Sequence, residues 1–544
     1  MILVSVFGAE SGGLEGKVNS VDTCCAVHAV IFIEIDAFSV AVRGNRDANL
    51  MHGKSPLFDK VETIKSLAFE GCYALNNISL GKSITTIADD SFKNCNNLES
   101  VDFFSNGLLE KKYSSEKNLS TYFPHIVNVK IREGIEKIGD KAFNNSHIVE
   151  ISLPHTLITI GDGAFGGCCK LKKVSISDIE SWCKIIFHGV SSNPIHYSKN
   201  LYINDHILEV LDYPSNLTDV NSYAFSGCQT LKHISIPIGI ENLKEHAFSG
   251  CINVNTISLP YSLHRIENSV FEDCESIQFL ELSQNINYIG KAAFKNCKSL
   301  RTIDLPTGID ILNSEVIYGC ESLTNVKIPQ SVEVIGTNAF HGCKSITDIH
   351  ISQNITKIDD VFSSMSSLEN ISVHSNNENF CSVDGVLFDR EKKILLRYPC
   401  NYKNDLYVLP QSVKVIGKKA FDGCGNLRFI GLPKDLEEID NFAFNQCTSL
   451  VELNIPDSVV KIGTSLFVGC TGLKKINFPR NLKSTKGGFG GISIRPLFGN
   501  CISLEEINFI RTAILDADGK ILIEKAELAE KVTGVLNKMY GRSR

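Results

Sequence analysis

The chain has a single tryptophan, Trp182, only four methionines, and no Cys-x-x-Cys pair among its nineteen cysteines. Without that pair neither a zinc half-site nor a catalytic dithiol has its usual sequence form. No basic block stands out either. A net charge of -7 with 54 basic residues excludes a strong nucleic-acid footprint. No clean membrane span is present, because the best apolar run, Cys24 to Val42, is broken by His28, Glu34 and Asp36. Met1-Ile2-Leu3-Val4 lacks a basic flank and is soon interrupted by Gly12, Gly13 and Glu15, so no secretory signal is expected.

What is abundant is cysteine at a fixed interval. Cys228, Cys251, Cys274, Cys297, Cys320 and Cys343 are each 23 residues apart. An apolar frame returns with them: Cys320-x-x-Leu323-x-x-Val326-x-Ile328-Pro329-x-x-Val332-x-x-Ile335-Gly336-x-x-Ala339-Phe340-x-Gly342-Cys343. One such unit cannot bury its own apolar face, but a stack of them can. The alternating, branched stretch of each unit reads as a strand of a parallel sheet, ended by prolines such as Pro237, Pro260, Pro306 and Pro329. Phe225, Phe248, Phe271, Phe294 and Phe340 form a column expected inside the opposite wall. Equivalent thiols would lie about 4.8 Å apart with parallel side chains, a poor disposition for disulfides, so the cysteines are expected to be buried and reduced. Asn145, 23 residues before Cys168, is expected to stand in for a cysteine.

The frame covers residues 61–510, with a non-repeat segment or cap at 1–60 and a hairpin and helix at 511–544. Residues Ser105 to Tyr122 are polar and read as a solvated loop, which makes Asn118 the best glycan acceptor in a secreted eukaryotic protein. Insertions near 178–219 and 374–409 carry Asn204-Asp205 and Asp384-Gly385, the hairpin turn signal, and are expected to be β-hairpin coils within the stack.

The recurring Ile-Gly-x-x-Ala-Phe-x-Gly-Cys-x-x-Leu-x-x-Ile-x-Ile-Pro resembles the BspA-like leucine-rich repeat family, the Treponema pallidum type. The expected fold is an α/β-type repeat solenoid, mainly β: a right-handed leucine-rich repeat coil with a parallel concave sheet and about 23 residues per repeat. The resemblance implies a cell-surface or secreted protein that binds host proteins, matrix or other cells.

No convergent catalytic set stands out, so the reading is non-enzymatic, without cofactor or metal. Cys183, His188 and His196 share one insertion but do not supply four zinc ligands, and Lys486 to Gly491 lacks the ending of a P-loop. The period of two turns the residues between apolar positions outward. His233, Glu281, Asp304, Lys327 and His350 are such residues, and Phe279 and Phe429 are aromatic where the frame is usually polar. With Arg301 these eight form the candidate contact set for a protein partner, since exposed aromatics and arginines are frequent hot spots. The missing export signal leaves an intracellular, cytoplasmic structural or regulatory module as the alternative.

Overall fold

The computed structural model describes residues 61–479 apart from 74 and 359, residues 497–509, and the backbone of strands Phe32–Asp36, Ser39–Arg43, Ser484–Thr485, Ala513–Leu515 and Ile521–Glu524. The chain is a mainly β solenoid with turns about 23 residues apart. It divides into two compact units, Met1–His233 with His246–Cys251, and Ile234–Glu245 with Ile252–Arg544.

In the first unit a parallel run joins Asn77–Leu80, Ser100–Phe103, Asn128–Ile131, Glu150–Ser152, Lys173–Ile176 and Tyr202–Ile203. Val101, Val129, Ile151 and Val174 stand in register and point into the core. Shorter strands on the return side, Lys137–Ile138, Thr159–Ile160 and Ile186–Phe187, are also parallel. Near the amino terminus Phe32–Asp36 and Ser39–Arg43 form an antiparallel pair, and Ser39 pairs with Thr63 of the first coil.

The second unit repeats this arrangement. Phe279–Leu280, Thr302–Ile303 and Asn325–Val326 are parallel on the long side. Ile394–Arg397, Val415–Ile416, Glu438–Ile439 and Lys461–Ile462 are parallel on the return side. Between the two sheets phenylalanines stack coil on coil: Phe421, Phe444 and Phe467 follow with centroid separations of 5.2 and 5.7 Å.

The cysteines have a specific task in this core. All seventeen described cysteines are free thiols. Most ladder thiols donate to the carbonyl at the phenylalanine position of the preceding coil, as Cys297 does to Phe271 at 3.3 Å and Cys447 to Phe421 at 3.2 Å, while Cys228 meets the Thr230 hydroxyl instead. The Phe271 carbonyl also accepts from the backbone of Cys274. The thiol therefore adds a second hydrogen bond to a buried carbonyl and packs as a small apolar group. Gly463, of the Ile462-Gly463 pair, answers to a different constraint. A Cβ on Gly463 would lie 2.3 Å from the backbone nitrogen of Asn441, so neighbouring backbones exclude any side chain there.

Asn145 does not occupy the cysteine position. Its φ of +57° matches the left-handed residues that precede cysteines, such as Asn296 at +58° and Gly319 at +69°. Ser146 is buried and takes the cysteine's place: its backbone donates to Phe143 at 3.0 Å, as Cys228 does to Phe225. This coil is one residue short, which a constant interval of 23 concealed. Asn145→Gly should leave the denaturation midpoint unchanged or slightly raised. Asn145→Ala should cost about 1–2 kcal/mol, the penalty of a left-handed alanine.

Residues 105–122 are more than a solvated loop. Asn106–Leu109 and Leu119–Tyr122 are short helices, with Leu108, Leu109 and Leu119 buried. Asn118 is buried and caps the second: its side chain accepts from the Ser120 backbone and donates to the Asn144 carbonyl. A glycan acceptor must be accessible, and Asn118 is not.

The insertions contain the expected hairpin turns. Asn204 and Asp205 have φ of +49° and +65°, and Asp384 and Gly385 have +48° and +81°, the positive pair that a tight hairpin turn needs. The first insertion also holds a helix that was not expected, Ile179–Lys184, capped by the Asp178 side chain on the Ser181 backbone. That helix buries Trp182, whose indole donates to the Ala224 carbonyl at 2.9 Å. The expected terminal helix over 523–540 falls mostly outside the described residues, and Ile521–Glu524 is a strand paired with Ala513–Leu515. The glycine-rich stretch 486–491 also lies outside them.

Candidate interaction face

Strand alternation decides which side chains reach outward. On Thr302–Ile303 and the residues just after it, Ile303 and Leu305 are buried while Thr302 and Asp304 are exposed. The same alternation exposes Phe279, 59% accessible, whose register partner is Thr302, followed by Asn325. Glu281, Asp304 and Lys327 succeed one another on adjacent repeats, all exposed, and Arg301 precedes Thr302 on the middle one. Among the described residues, none of Glu281, Arg301, Asp304 and Lys327 takes part in an ion pair. His350, one repeat further, is exposed and shares a 3.0 Å hydrogen bond with the Ser372 hydroxyl.

The far part of the same unit is different. Asn454, Asn477 and Asn508 bond in series along successive strands, the second link being 2.7 Å. Beside them Lys475 is paired with Glu506 at 3.2 Å and stands in register with Glu452. These polar groups satisfy one another, so a partner would gain little by displacing them. The central group is unspent by comparison.

Phe429 is not beside Phe279. It lies in a separate two-stranded pairing of Leu406–Val408 with Phe429–Gly431. There it forms an apolar patch with two residues that sequence reasoning missed, Leu406 and Val408, 52% and 60% exposed. Leu406 is opposite Phe429, and Val408 covers Gly431, where a Cβ would sit 3.2 Å from its methyl groups. The Arg428 guanidinium lies 5.4 Å from the Phe429 ring centre. The signal available was the alternation Leu406-Tyr407-Val408, in which the tyrosine, 4.9 Å from the Tyr398 ring, is the inward residue. His233 is the last residue of the segment Met1–His233 of the first unit and is exposed. Seven of the eight sequence-selected residues thus fall in the second unit, in two groups.

The side chains singled out for metal or nucleophile chemistry are placed otherwise. Cys183 is buried, and burial raises its thiol pKa well beyond the usual range. Burial, and then the charge of Lys199, lower the pKa of His196. Among the described residues no group of His, Cys, Asp or Glu is arranged to hold a metal ion, and no helix is long and apolar enough to cross a membrane.

No curated protein matches the chain. Among solved structures it is similar to a leucine-rich cell surface protein from Faecalibacterium prausnitzii, at 22% identity over 71% of this chain and 88% of that one, with a TM-score of 0.39. It is also similar to a leucine-rich repeat protein from Bacteroides ovatus, at 21% identity over 88% and 93% with a TM-score of 0.27. For the leucine-rich repeat protein of T. pallidum the values are 19%, 50% and 74%, and 0.15. The family model described as BspA type leucine rich repeat region matches residues 53–122, 121–209, 195–312, 264–384 and 398–515, pausing only inside the second hairpin insertion. The matched segments take in the thiol ladder, the stacked phenylalanines and both sets of strands, and the chain belongs to the BspA-type leucine-rich repeat family.

Proposed function

We propose that the protein is a non-enzymatic scaffold for protein recognition, surface-exposed or secreted, with an adhesin-like role toward host or matrix proteins or other cells. The family supplies the coarse part of this reading, a repeat scaffold of the leucine-rich type. The observation that carries it further is the unspent group on the second unit's long sheet: exposed Phe279 beside Arg301, Glu281, Asp304 and Lys327, none of the four engaged in an ion pair among the described residues. Aromatic and arginine anchors with unpaired rim charges are the usual make-up of a protein-binding patch. Phe429, with Leu406 and Val408, supplies a second apolar contact.

The test is binding to immobilised extracellular-matrix extract and to host-cell surface extract. Replacing Phe279, Arg301 and Phe429 together by alanine should weaken capture by about tenfold or more, as for hot-spot residues, with the melting temperature unchanged. Unchanged capture would remove the sheet face from the reading. One observation favours a second reading, an intracellular structural or regulatory module: Cys169 is exposed and unpaired, which suits a reducing compartment. Protease shaving of intact cells separates the two, because it removes a surface protein and spares a cytosolic one.

A further inference from the structure

In the second unit the hairpin insertion takes the place of a regular coil. Lys357–Ile358 is the last strand of its sheet, and the next return strand, Ile394–Arg397, pairs instead with Val386–Asp389 and Val415–Ile416. The mismatch leaves a half-open cavity of about 390 Å³. That volume lies within the range of small-molecule sites, roughly 300–1,000 Å³.

Its wall is of two kinds. Phe362, Leu387 and Leu396 give an apolar side. The polar side holds Asp360, Arg397, Lys418 and Lys419. Both lysine ammonium groups converge on one oxygen, Oδ2 of Asp360, at 3.1 and 2.9 Å. Burial pushes the Asp360 carboxyl pKa up, and the hydrogen bonds from Lys419 and Lys418 outweigh it and hold the pKa below the usual carboxylate range. Asp360 keeps a left-handed φ of +43° in this arrangement.

Arg397 is 3% exposed. It donates to the Lys419 carbonyl at 2.7 Å, the Asp422 carbonyl at 2.9 Å and the Cys400 sulfur at 2.8 Å, and its Nε has no partner. None of these bonds is to a carboxylate, and Asp422 and Asp360 act on the guanidinium only through their charge. The two ammonium groups share the Asp360 carboxylate, and each, with three donors, has capacity left. The cluster's field reaches His341 as well: burial, then the charge of Lys419, lower its pKa.

We infer that this cavity binds a small anion with an apolar body, a carboxylate or a phosphate monoester, its charge at Lys418 and Lys419 and its body against Phe362, Leu387 and Leu396. Arg397 braces the loop that carries Lys419 and keeps the local potential positive. The site is separate from the sheet face proposed above and stands without it.

Calorimetric titration of the full chain tests this with phenyl phosphate, benzoate, inorganic phosphate and benzylamine. Phenyl phosphate or benzoate should bind one per chain, and the tighter of the two names the head group. Inorganic phosphate should bind more weakly for want of a body, and benzylamine, the same body with opposite charge, should not bind. Lys419→Ala and Lys418→Ala should each weaken the organic anion by about tenfold, the loss of one charge-assisted contact, with the melting temperature kept. Asp360→Asn removes the competing carboxylate and should tighten binding. The inference is overturned if neither organic anion saturates at millimolar concentration, if benzylamine binds equally, or if both lysine variants bind as the parent does.

Discussion

Among the described thiols, iodoacetamide applied to the native chain at neutral pH should label Cys169 and Cys72 first, Cys381 more slowly, and the ladder thiols only after unfolding. Cys169 is exposed and Cys72 partly so, and the hydrogen bond with the Cys95 thiol, against burial, draws Cys72 down to about 7. Cys381 is also partly accessible, but burial raises its pKa. In the ladder, burial pushes Cys168 and Cys343 up to about 12 and carries Cys297 and Cys320 well above their ordinary value. A thiol with a pKa of 12 is ionised to the extent of about 10⁻⁵ at neutral pH, and only the thiolate reacts. Cys400 separates acidity from access. The hydrogen bond with Cys424, against burial, and then the Arg397 guanidinium lower it to about 7, yet it is 5% exposed. Access decides the rate, so Cys400 should stay unlabelled. Peptide mass mapping reads each site, and native labelling of Cys320 or Cys343 at the rate of Cys169 would mean that the thiols are not sealed in the core.

Phe444→Ala should cause the largest loss of stability. The ring is fully buried and stacks on Phe421 at 5.2 Å and 10° and on Phe467 at 5.7 Å and 6°. Truncating a buried phenylalanine costs about 3–5 kcal/mol through lost transfer energy and the cavity left behind. Two aromatic contacts of about 0.5–1.5 kcal/mol each place this site toward the upper end. Each coil touches mainly its neighbours, so the damage should stay local. Hydrogen exchange should speed up in the coils containing Phe421, Phe444 and Phe467 and remain at parent rates around Phe143 and Phe165. Uniform loss of protection would show that the coils unfold as one block.

The hairpin turns could be read from the chain because their cause is local. Asp384-Gly385 accepts two positive φ angles wherever it stands, and alternating neighbours then pair across it. The thiol ladder was legible for a similar reason, since a repeated burial requirement leaves a repeated residue. Asn145 was misplaced because the interval was counted on cysteines, whereas Phe143 and Phe165, 22 residues apart, already mark a coil contracted by one residue. The left-handed φ of Asn145 and the burial of Ser146 show the same contraction. Asn118 was misread because its side chain is held by the carbonyl of Asn144, 26 residues further along the chain.

Periodicity alone determined that this protein is a stack of coils, which side chains enter the core, and that Phe279 and Phe429 face outward. Those properties follow from the 23-residue interval and the alternation of a strand, both counted along one chain. Tertiary structure alone decided which exposed residues are neighbours. After an insertion, register is set by backbone pairing between coils, as with Leu406 opposite Phe429 and Val408 over Gly431. The cavity lined by Asp360, Arg397, Lys418 and Lys419 depends on the same cause, a gap between coils that no single stretch of sequence contains.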